Sequence, residues 1–315
     1  MEIDRYEFDD ADYAAKMTNL QFHALRKRLD KNRLFRELKT SEYLKNVSKC
    51  SEYDRDIVKG RLLNGWNTEH LLSVTKELLG KDQLIHAIHW AFPQAYYSIY
   101  NIILAYFLTA GHKADSHAAV IRKVNELIKS RTYPPSISFL AIGGGKDIHF
   151  IGIEKSTESS SLAYNPNEPT SVNTKICQFL KSTRELNLQE FRKRKKDKIG
   201  NRFKTKAGKP KMKLSQSDWE EIGKWIGATS ILNLLYRKRI KANYMEIDTL
   251  LTKQIDAHDL YSCLIHIVSY CNFIHEAFIR SALGKTEFEA LTKSVYAQKY
   301  PFVSHRMTRL KELFI

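Results

Sequence analysis

From Gln83 to His112 the chain runs for thirty residues without one Asp, Glu, Lys or Arg. At about 1.5 Å per helical residue such a stretch is long enough to cross a bilayer core of roughly 30 Å, or to form the central helix of a bundle. Its polar groups decide between the two. His86, His89, Gln94, Asn101, His112, four tyrosines and Pro93 all lie inside it, and groups of this kind find partners in a packed helical core but not in lipid. The stretch therefore predicts a buried helix from about Pro93, a residue tolerated in a first turn, to Thr109, stopped by Gly111. No membrane span is expected.

The remaining composition narrows the class. With 315 residues, 43% of them apolar and 11% aromatic, the chain can bury a sizeable core and is not disordered. Thirteen Gly and seven Pro are too few for a collagen-like or many-turned all-β chain. The four cysteines, at 50, 177, 263 and 271, form no CxxC pair, which excludes a disulfide scaffold or a cysteine-rich zinc site and fits a reducing, cytoplasmic setting. The polar, acidic start from Met1 to Asp12 lacks the pattern of a secretory or transit leader.

Helical periodicity dominates the first 130 residues. Tyr13, Met17, Leu20 and Ala24 recur at three- and four-residue steps. Asp54 after Ser51, Asn67 or Thr68 before Leu71, and Ser116 before Val120, Val124, Leu127 and Ile128 all read as helix starts. Pro134-Pro135 ends this pattern. Ser136–Ile142 and Ile148–Ile153 then read as strands of a hairpin turning through Gly143-Gly144-Gly145-Lys146-Asp147. That glycine run is not a phosphate loop, because Lys146 is followed by Asp147 and a strand, not by Ser or Thr and a helix. Two short helical patterns follow the polar loop 164–169. Beyond Ser217-Asp218, Trp219, Ile222, Trp225, Ile226 and Ile231 suit one face of a helix running to about Tyr244, and an apolar helix from Asp256 to Ala282 suits a central position. The fold class expected is mainly α: a helical bundle made of residues 1–132 and 215–315, interrupted by a small α/β insertion at 133–214.

Ala95-Tyr96-Tyr97-Ser98-Ile99-Tyr100, then Gly111, then His117 opening another helix, resembles the central hairpin of HEPN domains, the "higher eukaryotes and prokaryotes nucleotide-binding" helical bundle. Leu235-Tyr236-Arg237-Lys238-Arg239 with Ala242-Asn243-Tyr244 is similar to the family's later Arg…Ala-Asp-Tyr segment, with Asn in place of Asp. The resemblance covers residues 93–130 and 230–280. It implies an antiparallel bundle that commonly dimerises or pairs with a protein partner, in metal-independent ribonucleases, toxin–antitoxin modules or antiviral defence systems. The nucleolytic branch carries an Arg followed after four to six residues by a His on one helix. None of the eleven histidines here has an Arg at that spacing. Cleavage would therefore need a constellation assembled across helices: Arg239 or Arg237 as the cation that steadies a phosphorane, His117 or His112 as the base, and Tyr244 or Asn243 to orient the phosphate.

The strongest charge signal lies elsewhere. Arg192, Lys193, Arg194, Lys195, Lys196, Lys198, Arg202, Lys204, Lys206, Lys209, Lys211 and Lys213 stand against one acid, Asp197, a formal +11 of the chain's +16. Such density is costly unless an anion neutralises it, and a phosphodiester backbone does so with release of counterions. Phe191, Phe203 and Trp219 lie close enough in sequence to stack on unpaired bases. His86 and His89 lack a carboxylate beyond Asp82, and no HExxH or acidic cluster occurs, so neither metal nor cofactor is expected. The expectation is a nucleic-acid-binding protein of a microbial defence or toxin-type system, with RNA favoured over DNA. A metal-independent ribonuclease and a non-catalytic subunit of a partner enzyme are the alternatives.

Overall fold

The computed structural model describes residues 3–40, 44, 47–154, 163–194, 203–209, 211–244, 256–293 and 300–314. Among these the chain is mainly helical, with eleven helices and one two-stranded sheet: α1 (Ile3–Arg28), α2 (Lys31–Thr40), α3 (Arg55–Leu78), α4 (Lys81–Ala110), α5 (His117–Lys129), β1 (Leu140–Gly144), β2 (Asp147–Ile151), α6 (Pro169–Arg194), α7 (Gln216–Ile226), α8 (Ile231–Tyr244), α9 (Ala257–Leu283), α10 (Lys285–Lys293) and α11 (Pro301–Leu313). They divide into two units, one of residues 1–120 with 235–315 and the other of residues 121–234.

In the first unit the charge-free stretch forms the core of α4, which packs along both α3 and α9. The helix is longer than expected. It starts at Lys81 and runs through Pro93, because Gly80 caps its start and the Gln83 side chain accepts from the Gly80 N–H. Pro93 is therefore an interior residue whose missing N–H leaves the helix one hydrogen bond short. Gly111, at φ 72°, closes the other end in the left-handed conformation that favours glycine. α3 also runs unbroken from its Asp54 cap, where a start near Asn67 was expected, because the Thr68 hydroxyl donates back to the Asn64 carbonyl and does not cap a new helix. Among the described residues one helix, α9, is long and apolar enough to cross a membrane, and most of it is buried within the protein.

A charged network sits inside this unit. Arg306 of α11 donates through Nη1 to both carboxylate oxygens of Glu69 on α3, at 2.8 Å each, and its Nη2 lies 3.0 Å from Glu276 Oε1 on α9. Trp66 Nε1 donates to the same Glu276 oxygen at 2.8 Å, and Asn272 donates to Glu69 and to the Ser98 hydroxyl. Burial would lower the Arg306 pKa, but Glu276 and Glu69 hold it above its ordinary value. Glu276 is pushed up to about 7, chiefly by burial. A carboxyl raised in the folded state binds its proton more tightly there than in the unfolded chain. Its contribution to stability is therefore full below the ordinary carboxylate range and is lost as pH rises toward about 7. Denaturant midpoints across that window should fall with pH in the wild type relative to Glu276→Gln. A constant difference between the two proteins at every pH would contradict this.

In the second unit β1 and β2 pair antiparallel, Leu140 opposite Ile151 and Gly144 opposite Asp147. The expected hairpin is present, with a two-residue turn in which Gly145, at φ 62°, takes the first central position. β1 begins later than expected because Pro134 to Ser138 close a turn, Ile137 N–H and Ser138 N–H both donating to the Pro134 carbonyl. The glycines also admit α7. A Cβ on Gly144 would stand 2.1 Å from the Trp219 carbonyl oxygen, and one on Gly223 2.4 Å from that of Gly143. α6 is one continuous helix where two short ones were expected, since no Gly or Pro interrupts Thr170–Arg194 and buried Val172, Ile176, Leu180 and Leu188 keep its helical spacing. The helix expected from Ser217 to Tyr244 is instead two, α7 and α8, because Gly227 at φ 71° ends α7 and Thr229 bridges to Ala141 of β1.

Candidate functional site

In the first unit α4, the start of α5 and the later turns of α8 bring aromatic and cationic side chains together. Tyr96, Tyr97 and Tyr100 lie on α4, His117 is the first residue of α5, and Tyr236 and Arg239 are one turn apart on α8. The Arg239 guanidinium carbon stands 4.9 Å from the Tyr97 ring centre, 5.3 Å from Tyr236 and 5.6 Å from Tyr96. His117 packs 4.4 Å from the Tyr100 ring, and its Nδ1 shares a 3.0 Å hydrogen bond with the Tyr96 hydroxyl. No carboxylate joins this cluster among the described residues. Arg239 Nε is buried without a hydrogen-bond partner.

The electrostatics follow from that composition. Burial, and then the Arg239 charge, hold the His117 imidazole below its ordinary value of 6.5, so it is neutral at neutral pH. Burial raises the Tyr96 hydroxyl well above the usual tyrosine range, which keeps it protonated and able to donate or accept. A fixed cation, a neutral imidazole and several phenols, unaccompanied by an acid, make a site suited to an anion.

Of the residues singled out in the sequence, the structure brings Arg239 and His117 together. Arg237 is only two residues from Arg239, about 200° around the helix, and so projects from a different face of α8. His112 packs instead on Tyr106 and Phe107, at 5.8 and 5.4 Å, about 15 Å further along α4 than Tyr96. Tyr244 ends α8, and its side chain lies outside the described residues. Tyr96, Tyr97, Tyr100 and Tyr236 are not among the expected site residues. Their signal was the helical spacing of Tyr96 with Tyr100 and of Tyr236 with Arg239.

The basic segment belongs to the second unit, and its two ends meet. Arg192, in the last turn of α6, donates through Nη2 to the carbonyls of Lys211 and Met212, at 3.1 and 2.6 Å. Between them Phe203 is buried in a small apolar cluster with Leu188 and Ile222, against which Phe191, Leu214, Trp219 and Ile226 pack. Arg194 pairs with Glu190 and Lys211 with Asp218, whereas Lys193, Lys204, Lys206, Lys209 and Lys213 meet no acid among the described residues. Lys195, Lys196, Lys198 and Arg202 lie outside the described residues.

The aromatic expectations need correction. Phe203 is core and has no face to offer, and Trp219 carries Arg192 over its ring at 5.6 Å. The exposed ring is Trp225, 47% accessible, which packs against Phe203 and Phe191 at 5.5 and 5.9 Å.

One set of metal-ligating side chains also converges among the described residues: His23 of α1 with Asp259 and Cys263 of α9, donor atoms within 4.8 Å of one another. His23 pairs with Asp259, Arg26 lies 3.7 Å from the same carboxylate, and burial followed by the Asp259 charge pushes the Cys263 thiol up to about 12. The arrangement sets an imidazole and a guanidinium against one carboxylate, beside a thiol that burial keeps protonated. Comparison with protein-family models, with curated proteins and with solved structures finds no match for the chain.

Proposed function

We propose that this chain is a nucleic-acid-binding protein of the HEPN type, acting in a microbial defence or toxin-type system, cytoplasmic, and working as a homodimer or beside a protein partner of the same system. Residues 192–213 grip the phosphodiester backbone, RNA in preference to DNA. The observation that carries this reading is the pinned basic excursion. Arg192 ties the end of α6 to Lys211 and Met212, so the two ends of the segment are held together, and of its described cations Lys193, Lys204, Lys206, Lys209 and Lys213 meet no acid among the described residues. Lysines set among glycines contact backbone more than base edges, so binding is expected to be indifferent to sequence. Electrophoretic shift with labelled single-stranded RNA and DNA of equal length tests it. Retention of RNA at lower protein concentration is expected, and retention of neither polymer would remove the reading.

One observation favours the catalytic alternative, the pairing of a neutral His117 with Arg239 in a site without carboxylates. His117 would take the 2′-hydroxyl proton as that oxygen attacks phosphorus, and Arg239 would stabilise the negative charge on the phosphorane oxygens. The 5′-oxygen would leave with a proton returned by the imidazolium or water, with no metal. Arg239→Ala should then lower the rate of RNA cleavage by about a hundredfold or more while gel retention by the basic segment persists. Cleavage at an unchanged rate in that variant would eliminate the alternative.

A further inference from the structure

The second unit holds a cavity of about 570 Å³ between α5, β1 and α7, within the roughly 300–1,000 Å³ of small-molecule sites. Its walls differ in character. Ile142, Ile226 and the half-exposed Trp225 make one side apolar. Arg122 and Lys129 of α5 and Lys224 of α7 are exposed cations at its rim, against Glu126 and Glu220. Arg184 forms part of the wall and is fully buried. Its guanidinium donates to the carbonyls of Gly143, Gly223 and Gly227 and to the Thr229 hydroxyl, between 2.7 and 3.2 Å. No carboxylate pairs with it among the described residues, and although burial lowers it to about 10 it stays charged at neutral pH. The cavity wall thus carries an uncompensated positive charge.

Asn125 supplies the directional element. It is 5% exposed and lines the cavity, and its Nδ2 donates to Ala228 O at 2.7 Å and Asn233 Oδ1 at 3.0 Å. Those two acceptors fix the amide orientation, since a flip would set oxygen against oxygen. Oδ1 is left buried with no hydrogen-bond partner. A ligand that answers all three features has a flat apolar ring, an N–H donor on that ring, and a linked anion.

We propose that this cavity binds one nucleotide, its base against Trp225 with an N–H donated to Asn125 Oδ1, and its phosphate among Arg122, Lys129 and Lys224. The inference deepens the nucleic-acid reading and rests on it for the source of the nucleotide, an unpaired residue of the bound strand. Trp225 joins the two features, because the ring that lines the cavity also packs on Phe203 and Phe191 at the basic segment.

Titration calorimetry of the intact chain with the four ribonucleoside 5′-monophosphates, ribose 5-phosphate and inorganic phosphate tests it, beside gel retention of single-stranded RNA. The monophosphates should bind at least about tenfold more tightly than ribose 5-phosphate or phosphate. Trp225→Ala should remove most of that preference, and the double variant Arg122→Gln with Lys129→Gln, both exposed and outside the basic segment, should weaken binding about tenfold without altering the fold. Equal affinity for inorganic phosphate and monophosphates, or no effect of either variant, overturns the proposal. If RNA is retained while no monophosphate binds and both variants hold the strand as the wild type does, the cavity assignment fails and the strand reading stands. If monophosphates bind as expected while RNA is not retained, the strand reading fails and the cavity stands as a site for free nucleotides.

Discussion

Replacing the twelve Lys and Arg side chains of residues 192–213 by Gln should lower affinity for single-stranded RNA by about a thousandfold or more, to the limit of detection in gel retention. The reasoning is electrostatic. Each neutralised phosphate releases condensed counterions, and a protein making about six such contacts draws most of its affinity from that release. The segment contains twelve cations and one acid, and among the described residues only Arg194 and Lys211 of its cations are paired with carboxylates. The fold should survive, because apart from Arg192 the described cations are not what holds the segment. Phe203 does that, packed with Leu188 and Ile222. Keeping Arg192, which clasps Lys211 and Met212, while replacing the other eleven separates loss of charge from loss of the clasp. Both variants should fail to retain RNA. A charge-neutral segment that still retains RNA would place the interface elsewhere.

Arg306→Ala should destabilise the first unit by about 3–5 kcal/mol, enough to unfold a marginally stable domain. The arginine is almost fully buried and meets two carboxylates that are more buried still, Glu69 and Glu276. Removing it takes the compensating cation away from two buried carboxyls and leaves whatever charge they carry at neutral pH unneutralised in the interior. The cost should fall as pH is lowered toward the ordinary carboxylate range, which distinguishes uncompensated charge from simple loss of packing. Arg306→Met tests this directly: it keeps most of the side-chain volume and should still cost several kcal/mol at neutral pH. A loss below about 1 kcal/mol in both variants would mean that the network contributes little to the fold.

Much of this was legible in the chain because local rules decided it. Gly111 ends α4 where the left-handed cap was expected, Asp54 and Ser116 cap α3 and α5, and the triple glycine turns a hairpin. Boundaries failed where tertiary context overrode a local signal. Pro93 carries the local signal of a helix start, yet the packing of α4 between α3 and α9 carries the helix across it. Gly227 breaks the helix without a signal in the periodicity, because Trp219, Ile222, Ile226 and Ile231 keep helical spacing on both sides of it. For the candidate site, periodicity placed Arg239 and Tyr236 on one face of α8 but could not say that His117 of α5 would meet them, since that depends on how helices far apart in sequence pack. The same limit hid the Arg306 network, whose members come from four helices, and misassigned Phe203, where an aromatic beside a basic run reads alike whether it is core or exposed.

The most direct measurement is the affinity of the unmodified chain for single-stranded RNA as a function of salt. If the segment neutralises about six phosphates, the logarithm of the association constant should fall against the logarithm of salt with a slope of about −4, or about 300-fold for a fourfold increase in salt. A slope near zero would contradict the account, because affinity that ignores salt cannot come from lysines and arginines set against phosphate.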